Sequence, residues 1–251
     1  MFMIKDAFQD KALIAFVTAG DPTLEKTKEN IKEIVDAGAT LVEIGIPFSD
    51  PIAEGPIIQE ASLRALTHGV KVNEIFEMVK ELREDVSVPL CFMTYANVLF
   101  HYGYDAFLKR CDEVGINGLI IPDMPFEEKE LKEAARDYDV NIISMIAPTS
   151  RDRVKMIAKE AEGFIYLVSS LGVTGERDQF SDNLKDIIGD IRSVTDVPVA
   201  IGFGIHEPSQ AKAMAAISDG IIVGSAIVKR IGKHEPLYDY VKSLKDAIKT
   251  V

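Results

Sequence analysis

Eight short apolar runs, each followed by a stretch with helical spacing, recur along the chain, and this alternation constrains the fold more than any other feature. The runs are Ala12–Thr18, Thr40–Gly45, Val88–Met93, Gly118–Ile121, Val140–Met145, Phe164–Val168, Val197–Ile201 and Gly220–Val223. They are rich in β-branched residues and apolar at successive positions, the pattern of parallel strands buried on both faces. Between the first two runs Ile31, Ile34 and Val35 fall at helix spacing, with Thr23 as N-cap and Gly38 as stop. A strand–helix unit repeated eight times predicts an α/β chain folded as a (β/α)8 TIM barrel. The competing architecture is an open doubly wound sheet, which would carry Gly-x-Gly-x-x-Gly after the first strand. Here Ala19-Gly20-Asp21-Pro22 makes that turn instead. The eight units consume the 251 residues without leaving a linker, so residues 1–251 are expected to form one domain.

Composition narrows the partners. Against 40 acidic residues stand 28 Lys plus Arg, a net charge of −12, which opposes non-specific binding to a phosphate backbone and argues against nucleic acid. Cys91 and Cys111 are the only cysteines, giving neither a disulfide framework nor zinc spacing and pointing to a reducing compartment. Met1 to Asp6 has no basic stretch leading into an apolar run, and no apolar run approaches the roughly 20 residues of a membrane span. A cytoplasmic protein without membrane attachment is expected. His68, His101, His206 and His234 are scattered without ligand spacing, so no metal site is expected.

In a barrel the chemistry gathers at the C-terminal ends of the strands. After the second run, Glu43 to Pro56 is too broken by proline and glycine for a regular element. Glu43 lies inside the run itself, where burial raises the cost of ionisation. Two readings stay open for it: a carboxyl hydrogen-bonded to neighbouring strands, or a general acid/base tuned towards neutral pH. At the far end, Gly202-Phe203-Gly204-Ile205 and Gly224-Ser225-Ala226-Ile227 are glycine turns leading into helical sequence, with Ala226 to Ile231 as a short helix. Each alone reads as an ordinary turn. Together, after strands seven and eight, they predict a phosphate site built from backbone N–H groups. Leu171 to Gly175 opens a polar loop of the length of a lid or binding segment. No lysine ends any of the first seven runs, which counts against a Schiff-base aldolase.

These segments closely resemble the tryptophan synthase alpha-subunit family. The likeness runs through Phe16-Val17-Thr18-Ala19-Gly20-Asp21-Pro22, Val42-Glu43-Ile44-Gly45-Ile46-Pro47-Phe48-Ser49-Asp50-Pro51, Tyr95-Ala96-Asn97, Pro122-Asp123-Met124-Pro125, Gly172-Val173-Thr174-Gly175, Gly202-Phe203-Gly204-Ile205 and Gly224-Ser225-Ala226-Ile227-Val228, in family order. It implies a lyase of tryptophan biosynthesis that cleaves indole-3-glycerol phosphate to indole and glyceraldehyde 3-phosphate without metal or Schiff base. By the same resemblance Glu43 is the general acid/base, and Glu54 stands where the family has an aspartate facing the ring N–H. Phe16, Tyr95, Ile120, Tyr166, Thr174 and Phe203 are implied to bind substrate, with Tyr166 hydrogen-bonded to Glu43. Gly175, Gly204, Gly224 and Ser225 are implied to hold the phosphate, with no Lys or Arg beside it.

Three departures accompany the likeness. Glu54 is one methylene longer than the family's aspartate, Ser170 replaces a common arginine, and Ile57 replaces a usual threonine. The segment before Phe16 is also short, which predicts a reduced helix at the barrel bottom. The resemblance further implies a pyridoxal-phosphate beta subunit as partner in an alpha2beta2-type complex, docked on Pro47 to Pro56 and Asn97 to Tyr104, with no cofactor on this chain. Two rival readings are a non-catalytic activator of that partner and the preceding indole-glycerol-phosphate synthase. The latter needs a strand-end lysine as acid.

Overall fold

The computed structural model describes residues 3–169, 177–202 and 204–251, the side chains of 150–152 and 177–182 excepted. Among these, nine strands form one sheet: β1 (Ala12–Thr18), β2 (Leu41–Gly45), β3 (Leu90–Met93), β4 (Gly118–Ile120), β5 (Asn141–Ile142), β6 (Ser144–Ile146), β7 (Ile165–Val168), β8 (Val199–Gly202) and β9 (Gly220–Val223). The order is β5-β4-β3-β2-β1-β9-β8-β7-β6, and every pairing is parallel. The two ends of that order, β5 and β6, are separated along the chain by Ile143 alone. They are halves of the fifth expected strand, the first paired with β4 and the second with β7. The sheet is therefore a barrel with eight strand positions. Shear staggers each barrel strand against its two neighbours, and this strand is short enough that different residues serve its two edges.

Side chains alternate between two apolar environments, which is why the runs show no polar alternation. Ile14, Leu41, Cys91, Ile120, Ile143, Phe164 and Ala200 fill the barrel interior. Leu13, Ala15, Val17, Val42 and Ile44 face outward into the helical layer. A 3-10 turn, Ile4–Phe8, closes the bottom with buried Ile4 and Ala7, and the Phe8 ring lies 5.7 Å from that of Phe164. Thr23 caps the Leu24–Asp36 helix as expected, its hydroxyl oxygen accepting the Lys26 N–H at 3.1 Å.

Two helices rather than one follow each of β2 and β3: Pro56–Thr67 with Val72–Leu82, and Ala96–Tyr102 with Tyr104–Val114. The Pro56–Thr67 helix packs beside the Ser225–Gly232 helix, with Phe16, Ala61 and Val228 forming a small apolar cluster. Arg64 on the first of these helices donates twice to buried Asp21 after β1, at 2.7 and 2.8 Å. This bidentate pair fixes the helix that follows the Glu54 loop against the first strand–helix turn. Among the described residues no helix is long and apolar enough to cross a membrane.

Candidate active site

A cavity of about 550 Å³ opens at the C-terminal end of the barrel. Phe16, Glu43, Met93, Tyr166 and Ile222 come to it from barrel strands, Met145 from β6, and Ile57 and Ile58 from the helix after β2. Glu43 is inward-facing because Leu41, two residues earlier on β2, points into the barrel interior. Its register partners are Phe16 on β1 and Cys91 on β3. The carboxyl is fully buried, and neither oxygen has a hydrogen-bond partner among the described residues. Burial pushes it up to about 8. Of the two readings left open for Glu43, the hydrogen-bonded structural carboxyl does not describe this group. The expected bond from Tyr166 is not made either. Instead the Tyr166 hydroxyl end lies over Gly202, where an added Cβ would stand 2.5 Å from the oxygen.

Glu54 enters from the loop after β2 and lines the same cavity, half-buried, with Oε2 lacking a partner. Burial raises its carboxyl above the ordinary value of 4.5, and a hydrogen bond with Tyr95 draws it partly back. Tyr95 is buried, its ring stacks on Phe48 at 4.9 Å, and its hydroxyl oxygen accepts the Ala53 N–H at 3.3 Å. Tyr95 therefore stands behind Glu54 rather than among the lining residues. Ile120 is likewise fully buried in the barrel interior, beneath the lining rather than within it. Ile57, where the family has threonine, adds apolar wall beside the Phe16–Ala61–Val228 cluster.

Gly204 and Gly224, which follow β8 and β9, line the cavity with Ser225, and Ser225 begins the Ser225–Gly232 helix, whose first turn meets it. Thr174, Gly175 and Phe203, together with the departure at Ser170, lie outside the described residues. Besides the glycine turns, expected to hold the phosphate with no Lys or Arg beside it, Lys229 and Arg230 line the same cavity. Lys229 follows Ser225 by one helical turn, a spacing visible in the sequence that would have flagged it. Met93 and Met145 were also missed. Each lies two residues beyond an interior residue, Cys91 and Ile143, so strand parity could have found them. Among the described residues no group of three or more His, Cys, Asp or Glu gathers as a metal site.

A parallel barrel whose strand-end cavity gathers one buried carboxyl, one half-buried carboxyl and two glycine turns has the layout of an enzyme with its site at the C-terminal face of the barrel. The comparisons give the family. The model for the tryptophan synthase alpha chain matches residues 2–249, and the chain belongs to that family. Its relative from Lactiplantibacillus plantarum is 50% identical over 244 residues, covering 95% of this chain and 92% of that one. The Lacticaseibacillus casei alpha chain is 49% identical over 237 residues, covering 94% and 89%. The crystal structure of the alpha chain from Legionella pneumophila superposes with a TM-score of 0.88 at 30% identity, covering 100% of this chain and 98% of that one.

Proposed function

We propose that this chain carries out its family's reaction, the cleavage of indole-3-glycerol phosphate to indole and glyceraldehyde 3-phosphate, with Glu43 as the group that moves both protons. The observation that carries this reading is the Glu43 carboxyl, buried, without partners and lining the same cavity as Gly204, Gly224 and Ser225. In its protonated form Glu43 gives a proton to indole C3, and the ring becomes an electron-accepting indoleninium. The Glu54 carboxylate faces the ring N–H and offsets the positive charge that develops there. Glu43, now a carboxylate, takes the proton from the hydroxyl on the carbon attached to C3. The C3–carbon bond breaks, its electron pair restores the aromatic ring, and the aldehyde forms. Glu43 ends the cycle protonated, so the step balances with no outside acid. A positioned acid/base is worth about 10²–10⁴ in rate, or roughly 3–5.5 kcal/mol of barrier.

Phe16, Tyr166 and Ile57 form the apolar wall against the indole ring, and Gly204, Gly224 and Ser225 bind the phosphate. Thr174, Gly175 and Phe203 belong to the same assignment by family likeness. Tyr95 serves the substrate through Glu54. The product indole passes to a beta subunit, which carries the pyridoxal phosphate and completes an alpha2beta2-type complex in the cytoplasm. Ile52 and Phe100, 78% and 76% exposed on the two segments expected to dock, support that contact. Tyr102, within the second of these segments, packs on Phe76 and Phe107 and donates to Asn73 at 2.7 Å.

The test is to supply indole-3-glycerol phosphate to the purified chain, alone and with the beta subunit, and to measure both products. Equal release of indole and glyceraldehyde 3-phosphate supports the assignment. No indole in either case contradicts it and favours the activator reading.

A further inference from the structure

We infer that Lys229 is the side-chain cation that recognises the phosphate group, an inference that rests on the phosphate-ester reading above. On the Ser225–Gly232 helix, Ile227, Val228 and Ile231 are buried, while Ser225 and Lys229, one turn apart, are exposed and line the cavity together. Three carboxyl groups line this cavity, Glu54, Glu207 and the protonated Glu43, in a chain of net charge −12. A phosphate dianion entering it needs a local countercharge in addition to the backbone dipoles.

Two of the basic groups at the rim are already engaged. The Arg230 guanidinium lies 3.7 Å over the Tyr240 ring, and the Tyr240 hydroxyl donates to the His206 carbonyl oxygen at 3.0 Å. The His206 Nδ1 lies 2.8 Å from the Gly204 carbonyl oxygen. Lys229 has no ion pair among the described residues. Its ammonium is a compact charge with three donors on a flexible stem, suited to closing over a phosphate already seated on the glycine turns. The exposed Lys229 thus supplies charge and the buried helix face fixes where that charge stands.

The experiment is calorimetric titration of the intact chain with glycerol 3-phosphate, comparing wild type, Lys229→Gln and Lys229→Arg, with thermal melting as a folding control. Loss of one charge-assisted contact predicts binding weaker by about tenfold or more for Lys229→Gln. Lys229→Arg recovers most of the affinity, and the salt dependence of binding is flatter in Lys229→Gln than in wild type. Wild-type affinity in a folded Lys229→Gln overturns the inference while leaving the phosphate site standing. Failure of the wild type to bind glycerol 3-phosphate removes the phosphate reading and the inference with it.

Discussion

Phe16 of β1 is the register partner of Glu43 of β2, so an aromatic ring and a buried carboxyl enter the cavity side by side from adjacent strands. The ring can lie there because the residue two positions beyond Glu43 is glycine. A Cβ on Gly45 would stand 2.5 Å from Phe16 Cζ, closer than any tolerable contact. Gly45→Ala therefore pushes the ring away from the cavity wall. The expected outcome is a stability loss of about 1–3 kcal/mol, read by thermal melting, together with a reduced kcat/KM. A variant that melts and turns over like wild type contradicts this packing.

In the proposed reaction the two carboxyls start in opposite charge states, and this predicts a bell-shaped profile of kcat/KM against pH. Glu43 begins protonated, so activity falls as pH rises through about 8. Glu54 acts as a carboxylate, so activity also falls on the acid side, with a limb above the ordinary value of 4.5 because burial raises that group. An alkaline limb that persists in Glu43→Gln would assign it to another residue.

Tyr95 acts on the acid limb alone. Its hydrogen bond favours the ionised Glu54, and phenylalanine at this position keeps the stack on Phe48 while removing the hydroxyl. Tyr95→Phe is expected to move the acid limb upward and to lower kcat/KM along that limb, with a smaller effect at the pH of maximal activity. A loss of equal size at all pH values would mean that Tyr95 serves packing and not the charge of Glu54.

Much of this site was legible before the fold was known, and the parts that were not share a cause. The eight runs located the strands, and the rule that chemistry sits at their C-terminal ends selected Glu43, Gly204, Gly224 and Ser225 without contacts. Contacts decided the rest. The break at Ile143 depends on which neighbour each edge of the strand meets, which no local pattern reports. Ile120 ends β4 and is sealed in the barrel interior, whereas Tyr166 lies within β7 and lines the cavity. Family likeness implies that Tyr95 binds substrate. Its place behind Glu54 depends on how the β2 loop folds over it. The global charge of −12 hid the local cation Lys229, since net charge says nothing of where one side chain points.

In the proposed reaction the buried, unpartnered carboxyl at position 43 performs the chemistry at a cost to stability, and Glu43→Gln tests both halves in one variant. In the folded chain Glu43 holds its proton up to about 8, while in the unfolded chain it releases it near 4.5. Stability from this group is therefore complete below the unfolded value and is lost as pH rises towards 8, an amount on the order of 4 kcal/mol. Glutamine stays neutral throughout. The decisive measurement is indole release from indole-3-glycerol phosphate by wild type and Glu43→Gln, with melting of both at pH 9. The prediction is a fall in turnover of about 10²-fold or more, with the variant melting at the higher temperature. Near-normal cleavage by Glu43→Gln would contradict the account.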